Sequence, residues 1–271
     1  MKFSQTAKIS VIMSVYNGMP YLPEAVKSIL NQTYKNFEFI IIDDASTDQS
    51  AKYLRFLKDK RIKLIKNSKN LGLAASLNKA LKFAKGEYIA RMDADDISLP
   101  KRFEKQIKFL LKNPSIDLCG TWANLVDAKG KIICDKKYPT QPGKVKRAIT
   151  WYTAVIHPTY MAKKSFFKKM EGYRLDYDFA EDYDLLARAK NKFKIANVGE
   201  KLFLWRLADQ RRSRANMIKM DKIELKIKLE SLSREGLTIS GLLAIFKKII
   251  FTYILPFPLK YKIATSVLKY A

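Results

Sequence analysis

With 271 residues, 48 % of them hydrophobic, the chain can build one large core or two closely joined ones. Two cysteines, Cys119 and Cys134, and a single histidine, His157, argue against a disulfide framework and against a thiolate or imidazole metal centre, so a metal here would be held by oxygen. The formal net charge of +26 calls for an anionic partner, and composition does not choose among nucleic acid, an anionic membrane and a phosphorylated substrate.

The opening MKFSQTAKISVIMSVYNG reads as a strand and not a signal peptide, because its apolar run is short, interrupted and without a small-residue cleavage site. ISVIMSVY (9–16) is the strand itself, and YLPEAVKSILNQTY carries Leu22, Val26, Ile29 and Leu30 at helical spacing. FEFIIID (37–43) gives the second strand, and STDQSAKYLRFLKD gives a second helix with Ser46 as the expected N-cap. RIKLIKN is the third strand, LAASLNKALKFAKG a helix closed by Gly86 in the C-cap position, and EYIARMD the fourth strand.

Further on, IDLCGTWANLVDAKGKIICDKKYPT reads as two strands about a turn at DAKGK, which makes the later sheet mixed. Glu181 and Asp182 open an apolar helix in AEDYDLLARA, where acidic residues also suit the helix dipole. The C-terminal GLLAIFKKIIFTYILPFPLKYKIATSVLKYA is interrupted by Lys247 and Lys248 and broken by Pro256 and Pro258. It falls short of the roughly 20 apolar residues that a spanning helix needs, and is expected to lie on an anionic membrane surface, the alternative being a helix packed on the domain. No repeat, low-complexity tract or Pro/Gly/Ser-rich linker divides the chain.

Alternating strands and helices imply a mostly parallel, doubly wound sheet, in which ligands bind beyond the carboxyl ends of the strands. Tyr16 and Asn17 emerge there after the first strand, Asp43 and Asp44 after the second, and Asp93, Asp95 and Asp96 after the fourth. Three carboxylates this close repel one another unless a cation or a set of fixed donors sits among them.

The blocks VIMSVYNGMPYLPEAVKSILNQTY, FEFIIIDDASTD, NLGLAASLNKAL, GEYIARMDADD, HPTYM and AEDYDLLARA, in this order across residues 9–215, resemble family 2 of the inverting glycosyltransferases. The resemblance implies a Rossmann-like nucleotide-diphosphosugar transferase (GT-A) fold, mostly parallel but mixed, with a C-terminal helical extension. It implies a catalytic domain over 1–215, in which about 1–100 binds the nucleotide sugar and 101–215 the acceptor, followed by a basic, hydrophobic extension over 216–271. The implied reaction is transfer of a single sugar, with inversion, from a UDP-sugar to a saccharide or lipid-linked saccharide at the cytoplasmic face of the membrane, in surface polysaccharide or glycoconjugate synthesis.

Tyr16 would then stack on the base with Asn17 beside it, Asp44 accept from the imide N–H, and Asp93 take ribose hydroxyls. Asp95 would hold Mn²⁺ or Mg²⁺ and Asp182 would be the catalytic base, Glu181 being the alternative. Asn70 and Gly72 belong to a loop near the nucleotide, and Asp96 is expected to support its own loop. A departure lies in LWRLADQRRSRAN, where Ala208 stands at a position that often carries histidine, and Arg206, Arg211, Arg212 and Arg214 are candidate diphosphate ligands. His157 is either a ligand or a structural residue. Two other classes stay open: a nucleotidyltransferase, although SVYNGMPYLP is not a Gly-rich phosphate loop, and a nucleic-acid-binding protein, although the lysines are scattered and form no binding module.

Overall fold

The computed structural model describes residues 7–207, 217–256 and 259–260. Strand β1 (Ile9–Val15) lies between β2 (Phe37–Asp43) and β4 (Tyr88–Met92), and β3 (Ile62–Lys66) flanks β2, all four parallel. Helices α1 (Leu22–Leu30), α2 (Ser50–Arg55) and α3 (Leu73–Phe83) form the crossovers. Beyond β4 the sheet becomes mixed. The short strand β8 (Met161–Lys163) runs antiparallel to β4 and to β6 (Leu118–Val126). Next comes β9 (Ile195–Arg206), parallel to β6, and at the edge β5 (Ile97–Ser98), with β7 (Ile132–Lys136) beside β6.

β1 is apolar except at Ser10 and Ser14 because both of its faces are covered. Val11, Met13 and Val15 join Leu22, Val26 and Ile29 of α1 and Phe103, Ile107 and Leu110 of α4 (Arg102–Lys112) in one core. Ile12 points the other way, into a core with Ala74, Leu77 and Ala80 of α3. That second core also takes residues of α5 (Pro142–Ile149), α6 (Lys164–Lys169) and α7 (Glu181–Ala189). The anticipated hairpin about DAKGK is present as β6 and β7, with Gly130 at φ 84° in its turn.

Three expected helix boundaries move, each for a local reason. Ser46 is not an N-cap, since α2 starts at Ser50 and the Ser46 hydroxyl instead accepts from the Asn17 amide at 3.1 Å. Gly86 is not a C-cap, since α3 ends at Phe83; a Cβ there would sit 2.6 Å from the Lys8 carbonyl oxygen, so glycine lets this turn press against β1. α1 stops at Leu30 because Gln32, fully buried, donates to the Leu99 carbonyl at 2.9 Å instead of continuing the amphipathic face.

After β9 the chain forms α8 (Met217–Glu235) and α9 (Ile239–Ile249), followed by a short π-helical turn (Ile250–Ile254). Lys228 of α8 is buried against the domain and donates to the Thr150 and Trp151 carbonyls and to the Tyr183 hydroxyl. Lys248 of α9 pairs with Asp221 and Glu224 of α8, at 2.7 and 2.6 Å. Among the described residues no helix is long and apolar enough to cross a membrane.

Candidate active site

The carboxyl ends of β1, β2 and β4 meet at one edge, as the alternation requires. Tyr16 is half exposed there. Asn17, at φ 51°, uses its side-chain oxygen to accept from the Thr47 and Asp48 amides at 2.8 and 3.3 Å. It thereby ties the loop after β1 to the loop after β2, and the Gly18 and Met19 amides add bonds to the Ser50 hydroxyl and the Asp48 carboxylate. Asp43 is buried and accepts from the Ser46 amide at 2.9 Å, an Asx-type turn within its own loop.

Asp44 is buried too. Its two oxygens take the Leu71 and Gly72 amides, both at 2.9 Å, and the Asn67 side-chain amide at 2.7 Å. The Asn70–Gly72 turn, with Gly72 at φ 86°, is thus wrapped on Asp44 at the β1–β2 edge. The structure therefore brings Tyr16, Asn17 and Asp44 to one edge, and most of the hydrogen-bonding capacity of Asp44 goes to shaping the loop.

The acidic loop after β4 is next to them: a Cβ on Gly18 would lie 3.5 Å from the Ala94 Cβ. Carboxylate oxygens of Asp93, Asp95 and Asp96 lie within 4.8 Å of one another. These three are not equivalent. Asp96 is fully buried and accepts from the Arg206 amide at 2.8 Å, so it supports the loop. Asp93 pairs with Arg91 at 2.5 Å, and Asp95 sits between them at intermediate exposure. Part of the positive charge that this cluster requires is thus supplied by the protein. What remains is a hard, oxygen-only donor set centred on Asp95, which fits a divalent ion such as Mg²⁺ or Mn²⁺.

Arg206 is not a diphosphate ligand in this arrangement. It is buried, and its guanidinium donates to the Asp95 carbonyl at 2.9 Å, to the Ala128 carbonyl at 2.9 Å and to Glu24, and lies over the Tyr21 ring. Its role is to fix the back of the acidic loop. Ala208, Arg211, Arg212 and Arg214 lie outside the described residues.

The α7 terminus lies within the electrostatic reach of Arg91. Arg91 is buried in β4, where Asp93 and, more remotely, Tyr173 and Glu181 hold its charge against the penalty of burial. Asp182 is the second residue of α7, beside the buried Glu181, and accepts from the Tyr183 amide at 2.7 Å. Burial and then the Glu181 carboxylate push its pKa up from 3.8 to about 7, against the smaller pull of that amide and of Arg91. A carboxylate so placed takes a proton readily near neutral pH.

His157 is structural. Its Nε2 is 3.0 Å from the Tyr173 hydroxyl, its ring packs edge-on to Tyr160, and burial, with Arg91 nearby, holds its pKa well below 6.5, so the ring is neutral. Arg102 completes the frame by donating to the Arg91 and Pro158 carbonyls at 2.9 and 2.8 Å. Sequence reasoning passed over Arg91, Arg102, Tyr160 and Tyr173. A signal for the first was present: an arginine in the middle of the otherwise apolar YIARM strand must find a buried anion.

With this geometry in place the comparisons are decisive. The model of the family "Glycosyl transferase family 2" matches residues 10–170. This chain belongs to glycosyltransferase family 2. It is 38 % identical over 188 residues to the O-antigen biosynthesis glycosyltransferase WbnJ of Escherichia coli, covering 68 % of this chain and 72 % of that one. Among solved structures it resembles S. aureus TarS 1–349 in complex with UDP-GlcNAc, with a TM-score of 0.72 at 20 % identity, over 91 % of this chain and 73 % of that one. It also resembles the mannosyltransferase PcManGT of Pyrobaculum calidifontis, in complex with GDP-Man and Mn²⁺, with a TM-score of 0.66 at 18 % identity, over 92 % and 71 %. At such identities these two show the fold, which is the expected GT-A type. The nucleotidyltransferase and nucleic-acid-binding readings end here.

Proposed function

We propose that this glycosyltransferase moves one sugar from a nucleoside diphosphate, UDP in the first instance, to a saccharide acceptor with inversion at the anomeric carbon. The observation that carries the mechanism is that Asp182, a carboxylate at the start of α7 beside the buried Glu181, lies within the electrostatic reach of Arg91, the buried residue that pairs with Asp93 of the acidic loop. Residues up to about 100 hold the donor and residues 101–215 receive the acceptor, with 216–271 as the helical extension. Tyr16 offers a stacking face to the base, Asn17 and Asp44 shape and line the base end, and Asp93 faces the ribose.

Asp95 would hold the divalent ion, which, when bound, neutralises charge on the diphosphate as a Lewis acid. Asp182 accepts the proton of the acceptor hydroxyl while that oxygen attacks the anomeric carbon. The bond from that carbon to the diphosphate oxygen breaks, and the electron pair leaves with the nucleotide. Fixed orientation of both partners on one sheet edge supplies much of the acceleration. The relative named for O-antigen biosynthesis supports a place in surface polysaccharide or glycoconjugate assembly.

The extension supports membrane contact at the cytoplasmic face. Ile239, Leu242, Leu243 and Phe246 of α9 are exposed along one face, with Tyr253 and Ile254 beyond, while Ala244 and Ile245 pack inward. An apolar face on a chain of net charge +26 is complementary to an anionic bilayer. Co-sedimentation with vesicles containing anionic lipid should drop on replacing Ile239 and Phe246 by serine, and unchanged co-sedimentation would remove this part of the reading. For the reaction itself, the purified chain incubated with Mn²⁺ and UDP-, GDP- and dTDP-sugars should bind one donor class, and transfer followed by NMR should give the inverted anomer. Retention of configuration, or binding of none of the donors, refutes it.

A further inference from the structure

The acceptor side of the cleft carries aromatic residues to which no role has yet been given. Tyr138 and Tyr152 lie on separate segments, after β7 and after α5, and their rings approach to a 6.1 Å centroid distance at a tilt of 42°. Tyr152 is 47 % exposed, so part of its ring is open to solvent beside Tyr138.

Both segments are fixed to the neighbourhood of Asp182. The Tyr138 carbonyl accepts from the Trp122 indole at 2.8 Å. Its hydroxyl is pushed up to about 12 by burial, by Tyr152 and by the Asp182 carboxylate. The Thr150–Trp151 backbone that leads into Tyr152 is clamped by Lys228, whose ammonium also binds the hydroxyl of Tyr183 at 2.7 Å, one residue after Asp182. The fully buried hydroxyl of Tyr160 finds no hydrogen-bond partner among the described residues, although Asp182, Glu181 and Arg91 are all within its electrostatic reach.

We infer that Tyr138 and Tyr152 form the acceptor subsite, a stacking wall for the apolar face of a sugar ring whose hydroxyl is delivered to Asp182. An aromatic face carries partial negative charge and attracts the C–H edges of a pyranose, while the ring hydroxyls stay free for hydrogen bonds. A rigid pair held from behind loses little conformational freedom on binding, which suits a transient acceptor. The polar contrast comes from Asp182, whose charge reaches the Tyr138 hydroxyl. The ligand class is therefore a saccharide with at least one face of axial hydrogens, and the inference rests on the glycosyltransferase reading above.

Saturation-transfer NMR on the full chain tests it, with UDP present and methyl β-glycosides of glucose, galactose and N-acetylglucosamine as probes. At least one glycoside should receive saturation, strongest at its axial ring protons. The signal should fall at least severalfold in Tyr152→Ala and survive in Tyr152→Phe, which keeps the ring. UDP saturation in the same tube should be unchanged throughout. Equal glycoside signals in wild type and Tyr152→Ala, or no glycoside signal while UDP binds, overturns the subsite and leaves the donor reading standing. Absence of UDP binding in the wild type overturns the donor reading and the subsite with it.

Discussion

Under the proposed function the site has a donor side and an acceptor side, and the two are built in opposite ways. On the donor side, Asn17, Asp43 and Asp44 hold short loops by bonds to backbone amides, and their function is to shape surfaces that remain open. On the acceptor side, burial and Glu181, against the smaller pull of Arg91, set the charge state of one partly covered group, Asp182, and His157, Tyr160 and Tyr173 are buried within reach of the same Arg91. Loop scaffolding tolerates change in steps, because each amide has other partners in water. A buried charge network does not, because removing one member leaves another charge unpaired in a medium that solvates it poorly.

The largest effect should come from the acceptor side. Asp182→Asn should lower transfer by about 10²- to 10⁴-fold with nucleotide affinity retained, since it keeps the shape and loses the proton acceptor. Equal loss in Glu181→Gln alone would move the base one residue back. Next, Arg91→Met should destabilise the chain by about 3–5 kcal/mol, because Asp93 and Glu181 lose their shared counter-charge. Urea unfolding monitored by circular dichroism measures this, and a change near zero would equate the two sides.

pH separates them further. The transfer rate should rise with pH up to about 7, where Asp182 becomes ionised, and level off above. Between 3.8 and about 7 the folded chain keeps a proton at Asp182 that the unfolded chain has released, so this group's contribution to stability falls as pH rises through that window. Asp182→Asn should therefore be more stable than wild type at pH 8, with the gap closing towards pH 4. A constant difference in melting temperature across that range contradicts the raised proton affinity.

On the donor side, Asp95→Asn should weaken Mn²⁺-dependent nucleotide binding by about 10- to 100-fold while the fold persists, as titration calorimetry with and without EDTA would show. The smallest effect belongs to Gly86→Ala, away from the chemistry. It should lower stability by about 1–3 kcal/mol through contact with the β1 backbone and leave the rate per folded molecule unchanged.

The same contrast explains what could be read before the fold was known. The order of β1 to β4 and the emergence of Tyr16, Asp44, Asp93 and Asp95 at one edge follow from apolar runs and turn residues, which are local signals. Ser46 and Gly86 were misplaced because each bonds to or presses on a different segment, Asn17 in one case and β1 in the other. β9 gave no clear signal, since its pairing with β6 shifts register near Trp122 and Gly199 interrupts its pattern. Arg91, Tyr160 and Tyr138 gain meaning only from partners far along the chain, so periodicity could not expose them. The exposed side of α9 is apolar because Lys248, which in sequence interrupts the run, turns inward to Asp221 and Glu224.

Arg206 has a consequence for how the chain is made. It reaches back 110 positions to hold Asp96 and, one residue nearer the N-terminus, the Asp95 carbonyl. While the chain emerges from the ribosome, β1 to β4 can pair as soon as they are out, yet the acidic loop keeps an unfinished back until β9 has been synthesised and inserted beside β6. Under the proposed metal role of Asp95, the capacity to retain a divalent ion would be acquired late, and an incomplete chain with β1 to β4 paired would be unable to start chemistry.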